Sequence, residues 1–266
     1  FDLRTMPAEE YPLIPAMETD ASIEVDLASF LRTIRQTEFA AASYESNNIL
    51  SGVFVRLSPE AIEMVATDGS RLARRVEAVS NTQVEEAVTA IIPARTLQEF
   101  MKLASIQNED ERARIALKKG QVFLATPRIL AVSRLLDGQY PRYEQLIPQQ
   151  NRIAASANKQ ALIASLERTA VMANERTNIV RMNLDPGRMV LAADTPDVGN
   201  SKDIVPIRYD GEPLNIAFNY KFVLEALKVI ESDDVRMETN GALAPTVFRA
   251  DGENSYLCLV MPVQVK

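Results

Sequence analysis

The 266 residues include no histidine and a single cysteine, Cys258. That removes Ser-His-Asp relays, HExxH zinc sites and histidine acid–base catalysis together. Any reaction would have to rest on Asp, Glu, Lys, Ser or Tyr. The stretch most like a reactive loop is Thr67-Asp68-Gly69-Ser70. A nucleophilic Ser70 would need Asp68 or a lysine as base, and a phosphate loop would need more than one glycine. A plain turn is the simpler reading; a hydrolase stays open as a rival. Cys258 sits in YLCLVM, whose composition favours a buried strand thiol. The remaining spacing with chemical meaning is basic. Arg95 pairs with Lys102 and Lys221 with Lys228, each seven residues apart and so on one helical face. Such faces either meet phosphates or are simply solvated.

The elements that would position these residues read as a strand-rich α+β chain. Helices are expected from Asp26 to about Tyr44, from Pro93, from Ala157 to about Arg176 and from Asn219 to Glu231. Strands fill the intervals, among them Val53–Leu57, Ile62–Ala66, Arg71–Val79, Asp203–Ile207 and Tyr256–Val263. No apolar run reaches the ~18 residues that a membrane span requires. A net charge of −7 speaks against indiscriminate nucleic-acid binding but leaves room for a locally basic face. One cysteine fits a reducing compartment.

Two internal matches divide the chain. FDLRTMPAEEYPLIP at the N-terminus has the same order of strand, turn, Tyr-Pro and Leu-Ile-Pro as SRLLDGQYPRYEQLIP at Ser133 to Pro148. Ile92-Pro93-Ala94-Arg95 likewise aligns with Phe218-Asn219-Tyr220-Lys221. The resulting period is that of a domain. The expected organisation is 1–19 as the last strand and linker of a preceding domain, 20–148 as a middle domain and 149–266 as a C-terminal domain. The chain then reads as a fragment of a three-domain protein.

Four stretches together, VATDGSRLARR, LLDGQYPRYEQLIP, IAFNYKFVLEAL and LCLVMPVQV, make the whole chain similar to the bacterial DNA polymerase III β subunits, the sliding clamps. The resemblance implies the DNA-clamp fold, repeated domains each with two helices packed on antiparallel sheets. It implies a processivity factor and not an enzyme, with no cofactor and no metal. The partners it implies are duplex DNA threaded without sequence preference through a head-to-tail homodimeric ring, and the polymerase, clamp loader and repair or initiation proteins, docked by short linear peptides. It also implies no membrane partner and a cytoplasmic location. Without its first domain the stretch is expected not to close a ring.

Residue by residue, the resemblance implies a partner-peptide pocket. Thr67, Gly69, Ser70, Arg71 and Leu72 form one wall and Pro141, Gln145 and Leu146 a floor. Asn219, Phe222, Leu243, Pro245, Leu259, Val260, Met261, Pro262 and Val263 complete it. Ser70 and Gln145 depart from the larger polar and basic residues common in the family. DNA-facing positions would be Arg32, Arg35, Tyr44, Asn48, Arg95, Lys102, Arg168, Lys221 and Lys228. Val171 and Met172 match an apolar pair at the subunit interface, or else face the core. A peptide-binding scaffold that never meets DNA is the second rival, favoured if the helix Lys and Arg are paired with acids.

Overall fold

The computed structural model describes residues 1–7, 22–43, 48–79, 81–106, 111–118, 120–196 and 198–265. Its first half runs β1 (Ser22–Asp26), α1 (Leu27–Arg35), β2 (Gly52–Leu57), β3 (Ala61–Thr67), β4 (Arg71–Ala78), β5 (Asn81–Thr82), β6 (Val88–Pro93), α2 (Ala94–Ala104), β7 (Arg112–Lys118), β8 (Gln121–Ala125) and β9 (Leu130–Arg134). The second half repeats the order with β10 (Ile153–Asn158), α3 (Lys159–Ala170), β11 (Ile179–Asp185), β12 (Arg188–Thr195), β13 (Gly199–Arg208), β14 (Leu214–Asn219), α4 (Tyr220–Lys228), β15 (Asp234–Thr239), β16 (Thr246–Ala250) and β17 (Tyr256–Val260). Every helix follows a strand directly. Asp26, Asn158 and Asn219 cap α1, α3 and α4 by accepting from backbone N–H groups of the first turn. Pro93 opens α2, where a missing N–H costs nothing.

The strands form two antiparallel sheets, of five and twelve strands. The larger runs β14-β11-β12-β13-β10-β15-β16-β17-β4-β3-β2-β6, so it crosses from one half of the chain to the other where β17 pairs with β4. Amphipathic helices cover one side. α1 packs on α2 through Phe30 and Phe100, whose rings lie 5.8 Å apart, and α3 packs on α4. Alternation along β4 and β17 sorts side chains to opposite faces. Ala73, Cys258 and Val260 join the main core beneath the helices. Leu72, Leu257 and Leu259 join a second cluster with Val65, Ile91, Tyr140, Tyr143 and Val247 on the other face. Among the described residues no helix is long and apolar enough to cross a membrane.

The α+β expectation holds, and several boundaries change. α1 stops at Arg35 and not near Tyr44. The Gln36 side chain leaves the helix to donate to Val229 O at 2.9 Å, and a short 3-10 turn at Glu38–Ala40 follows. α3 covers only Lys159–Ala170, because Ala157 belongs to β10, a strand the sequence reading did not anticipate. β10 pairs along its whole length with β15, and its Ala-rich sequence carries little strand propensity of its own. β13 begins at Gly199, earlier than expected.

Candidate functional site

The turn Thr67-Asp68-Gly69-Ser70 joins β3 to β4 and is fastened from within. Gly69 takes φ +92°, a conformation that glycine adopts without strain. Asp68 Oδ1 accepts from Ser70 N at 2.8 Å and from Arg71 N at 3.0 Å. Thr67 Oγ1 accepts from Gly69 N at 3.1 Å and donates to Arg71 O at 2.6 Å. The Asp68 carboxylate also receives Arg71 Nε at 3.0 Å. This carboxylate is spent on its own turn and on a guanidinium, which leaves Ser70 no base there. The reactive-loop reading has no geometric support.

That turn meets the end of β17. Met261 N donates to Ser70 O at 2.8 Å, and Val263 N donates to Ala217 O of β14 at 2.8 Å. The C-terminal stretch is therefore stitched across the junction between the two halves. At these strand ends Leu72 pairs with Leu259 and Ser70 with Met261, and the expected pocket residues differ in exposure. Gly69, Ser70, Pro141, Gln145, Leu146, Leu243 and Met261 are exposed; Asn219, Phe222, Pro245, Pro262 and Val263 are half-buried; Thr67, Leu72 and Leu259 are buried. Leu146, Leu243 and Met261 are the large apolar side chains that reach solvent here, at 50%, 62% and 39% exposure. Beside them, Leu243 and Val263 line a cavity of about 440 Å³ with Arg181, Asn215 and Gln264. Pro141 lines another of about 420 Å³ with Phe54, Leu136, Tyr140 and Tyr143.

Two of the expected pocket residues need correction. Val260 is fully buried in the core beneath the helices, because strand alternation turns it away from Leu259. Arg71 points its guanidinium to the helix side, where Glu225 of α4 and Phe39 O hold it, and only 9% of it is exposed. Neither side chain offers a free surface on the face that Leu72 and Leu259 share.

Several contributors were missed. Ile49, Leu50, Phe54 and Leu136 pack against the second cluster, and the linker supplies Tyr140 and Tyr143 to it. Phe54 lies 5.5 Å from the Tyr140 ring and 5.6 Å from that of Tyr143. Tyr140 Oη accepts from Thr67 N at 3.2 Å, tying linker to turn. Burial raises the pKa of both tyrosines well above the ordinary phenol value, so they stay neutral. The YPRY spacing and the apolar pair after Asn48 were the available signals.

The basic candidates are mostly engaged with acids. Arg32 pairs with Glu77 at 3.2 Å and Arg35 with Glu231. Lys102 pairs with Glu99 at 3.0 Å and Lys228 with Glu167 at 3.3 Å. Arg95 and Lys221 are exposed on α2 and α4. Asn48 is exposed and caps a short turn through Leu50 N, whereas Tyr44 lies outside the described residues. Arg168 reaches from α3 towards β13, where it binds Asp203 at 2.6 Å and holds that carboxyl below its ordinary pKa.

That pair borders the third candidate surface. Val171 is 76% exposed, which excludes a core role, and Met172 is half-buried. Nearby in the chain, Val198 and Ile204 expose 69% and 55%. β13 pairs with β12 from Gly199 to Pro206, but its other edge meets β10 only at Ile207 and Arg208. Among the described residues, the rest of that edge has no strand partner.

Comparison with known proteins gives one family throughout. Residues 24–142 match the central domain, and residues 144–264 the C-terminal domain, of the DNA polymerase III beta subunit. A beta sliding clamp of Synechococcus elongatus is 34% identical over the whole chain, which covers 72% of that protein. One of Bacillus subtilis is 31% identical over 99% of the chain and 70% of its own length. The crystal structure of a B. subtilis DNA polymerase sliding clamp superposes with a TM-score of 0.91 at 30% identity, over 98% of this chain and 69% of that one.

Proposed function

The chain belongs to the DNA polymerase III β subunit family, the sliding clamps, and from that premise we propose that it docks partner proteins through a peptide cleft at the junction of its two halves. It is an accessory processivity factor of the polymerase and not an enzyme. The observation that carries the cleft is the exposure of Leu146, Leu243 and Met261, with Met261 N held by Ser70 O and Val263 N by Ala217 O across the junction. A shallow apolar rim over a rigid floor suits an extended peptide with one or two aliphatic or aromatic anchors, because little ordering cost accompanies binding. Thr67, Leu72 and Leu259 form the floor, and Asn219, Phe222, Pro245, Pro262 and Val263 the flank. The two clamp domains of this reading are residues 20–148 and 149–266.

The same reading assigns the helix side to duplex DNA, encircled without sequence preference. It assigns Val171 and Met172, with Val198, Ile204 and the open edge of β13, to a head-to-tail contact with another subunit. A strand edge flanked by exposed apolar residues invites pairing. A cytoplasmic location follows from work on chromosomal DNA.

Fluorescence polarisation of a labelled QLxLF-type peptide tests the cleft. Micromolar binding is expected, and Met261→Ala with Phe222→Ala should abolish it. Undetectable binding to the unaltered chain would overturn the cleft. One observation favours the second reading, a scaffold that docks peptides without DNA: Arg32, Arg35, Lys102 and Lys228 all bind acids. Salt-dependent binding of duplex DNA, read by polarisation, separates the two.

A further inference from the structure

Arg71 opens β4 and turns into the junction, where three segments hold its three nitrogens. Nε donates to Asp68 of its own turn at 3.0 Å, Nη1 binds Glu225 of α4, and Nη2 donates to Phe39 O, before β2, at 2.7 Å. Its flat face lies 4.5 Å from the centroid of Phe222 on α4 and 5.4 Å from that of Phe39. A planar fork that stacks and donates in three directions is specific to arginine; lysine has one point of charge and no plane. The anchor continues towards the outer face. Asp68, which receives Nε, also holds Ser70 N at 2.8 Å, and Ser70 O receives Met261 N at 2.8 Å. Glu225, Arg71, Asp68, Ser70 and Met261 therefore form an unbroken line of polar contacts from α4 to the exposed rim.

We propose that Arg71 is a positioning residue, a latch that seats α4 on the Thr67–Arg71 turn and so couples the shape of the cleft to the seating of the two halves on each other. The latch stands on the contacts just given; the coupling rests on the cleft reading above. Phe222 shows how the two meet, since it stacks under Arg71 and also belongs to the proposed flank. Peptide anchors that press on Met261 or Phe222 act on the same guanidinium. Movement of α4 acts in return on the rim.

The test is Glu225→Gln, a mild change because the carboxylate is 48% exposed. Glu253→Gln is the control. Glu253 binds Arg75 across the same junction at 2.5 Å but stands outside the line to Met261. Hydrogen exchange is read at 69–71 and 220–225 without peptide, and affinity is read with an uncharged peptide of the QLxLF type. In Glu225→Gln both segments should exchange several-fold faster and the peptide Kd should rise roughly five-fold, about one factor of RT ln 5 in binding. Salt should raise that Kd in the unaltered chain and do so less in Glu225→Gln, where the Arg71–Asp68 pair remains. Arg71→Lys should show the same faster exchange and weaker binding. Glu253→Gln should change Kd less than about two-fold, within ordinary surface effects. Unchanged exchange and affinity in Glu225→Gln, or an equal loss in Glu253→Gln, would overturn the latch. Faster exchange with unaltered affinity would overturn the coupling. If the wild-type chain binds no peptide, the cleft reading and its coupling fail while exchange still decides the latch.

Discussion

Gly69 is a position where backbone conformation alone decides the cost of a side chain. Its φ of +92° has no steric neighbour within 4 Å, so Gly69→Ala would add strain and nothing else. We expect a loss of about 1 kcal/mol in urea unfolding, the usual cost of a left-handed non-glycine residue. Cys258 is fully buried and its thiol is pushed up to about 12 by desolvation. It should resist thiol reagents in the native protein and react at once in denaturant, which a chromogenic disulfide titration would show. Glu38 is raised by burial as well. Burial raises its pKa above 4.5 despite a hydrogen bond from Gln98 at 2.5 Å. A carboxyl raised on folding penalises the native state once pH exceeds the folded value, and the penalty fades as pH falls towards the unfolded one. Glu38→Gln should therefore stabilise the protein near neutral pH and leave it unchanged near pH 4, measured by denaturant midpoints.

Among the elements, the linker is the least regular and the most tightly used. Its Tyr140 and Tyr143 rings close the second cluster over Phe54, and Tyr140 Oη links Thr67 N to Gly52 O. Tyr140→Phe would leave the buried Thr67 amide without its acceptor. A loss of about 1–2 kcal/mol is expected, the range for an orphaned buried donor, and urea unfolding reads it. The shortened α1 makes the same point from the other side. Leu27, Phe30 and Ile34 sit at the expected spacing and are buried, so the start and apolar face were legible. The end was not, because Gln36 bonds Val229 and Phe39 O takes the Arg71 guanidinium, both long-range contacts that local propensity cannot report.

At the scale of the whole molecule, one twelve-stranded sheet and a set of ion pairs join the halves. Arg75 binds Glu253, Arg32 and Arg35 reach Glu231, and Val76 N donates to Ser255 O at 2.8 Å. The junction should behave as one cooperative unit. The helix side is nearly self-neutralised, which suits a ring that slides: phosphate attraction weakens as each cation is shared with an acid. Replacing Glu99, Glu167 and Glu231 together by glutamine should tighten DNA binding and steepen its salt dependence, by about 0.9 in log–log slope for each phosphate gained. Salt-titrated polarisation with duplex DNA reads both.

The sequence by itself carried the repeat, the α+β class, the Asp26-capped start of α1, the TDGS turn and the four motifs of the sliding-clamp family. All of these are written in local spacing, capping chemistry or residue order, and they survive without coordinates. What only the tertiary structure decided is direction and partnership. Leu259 and Val260 are neighbours of equal hydrophobicity, yet pairing with β4 sends one to the rim side and the other to the core. Arg71 reads as an exposed wall residue until α4 and Phe39 arrive from ~150 and ~30 residues away to occupy it. Arg168 and Lys228 look alike as helical cations, but one faces Asp203 on β13 and the other Glu167 on α3. Such choices depend on contacts between distant segments, and chain order does not encode them position by position.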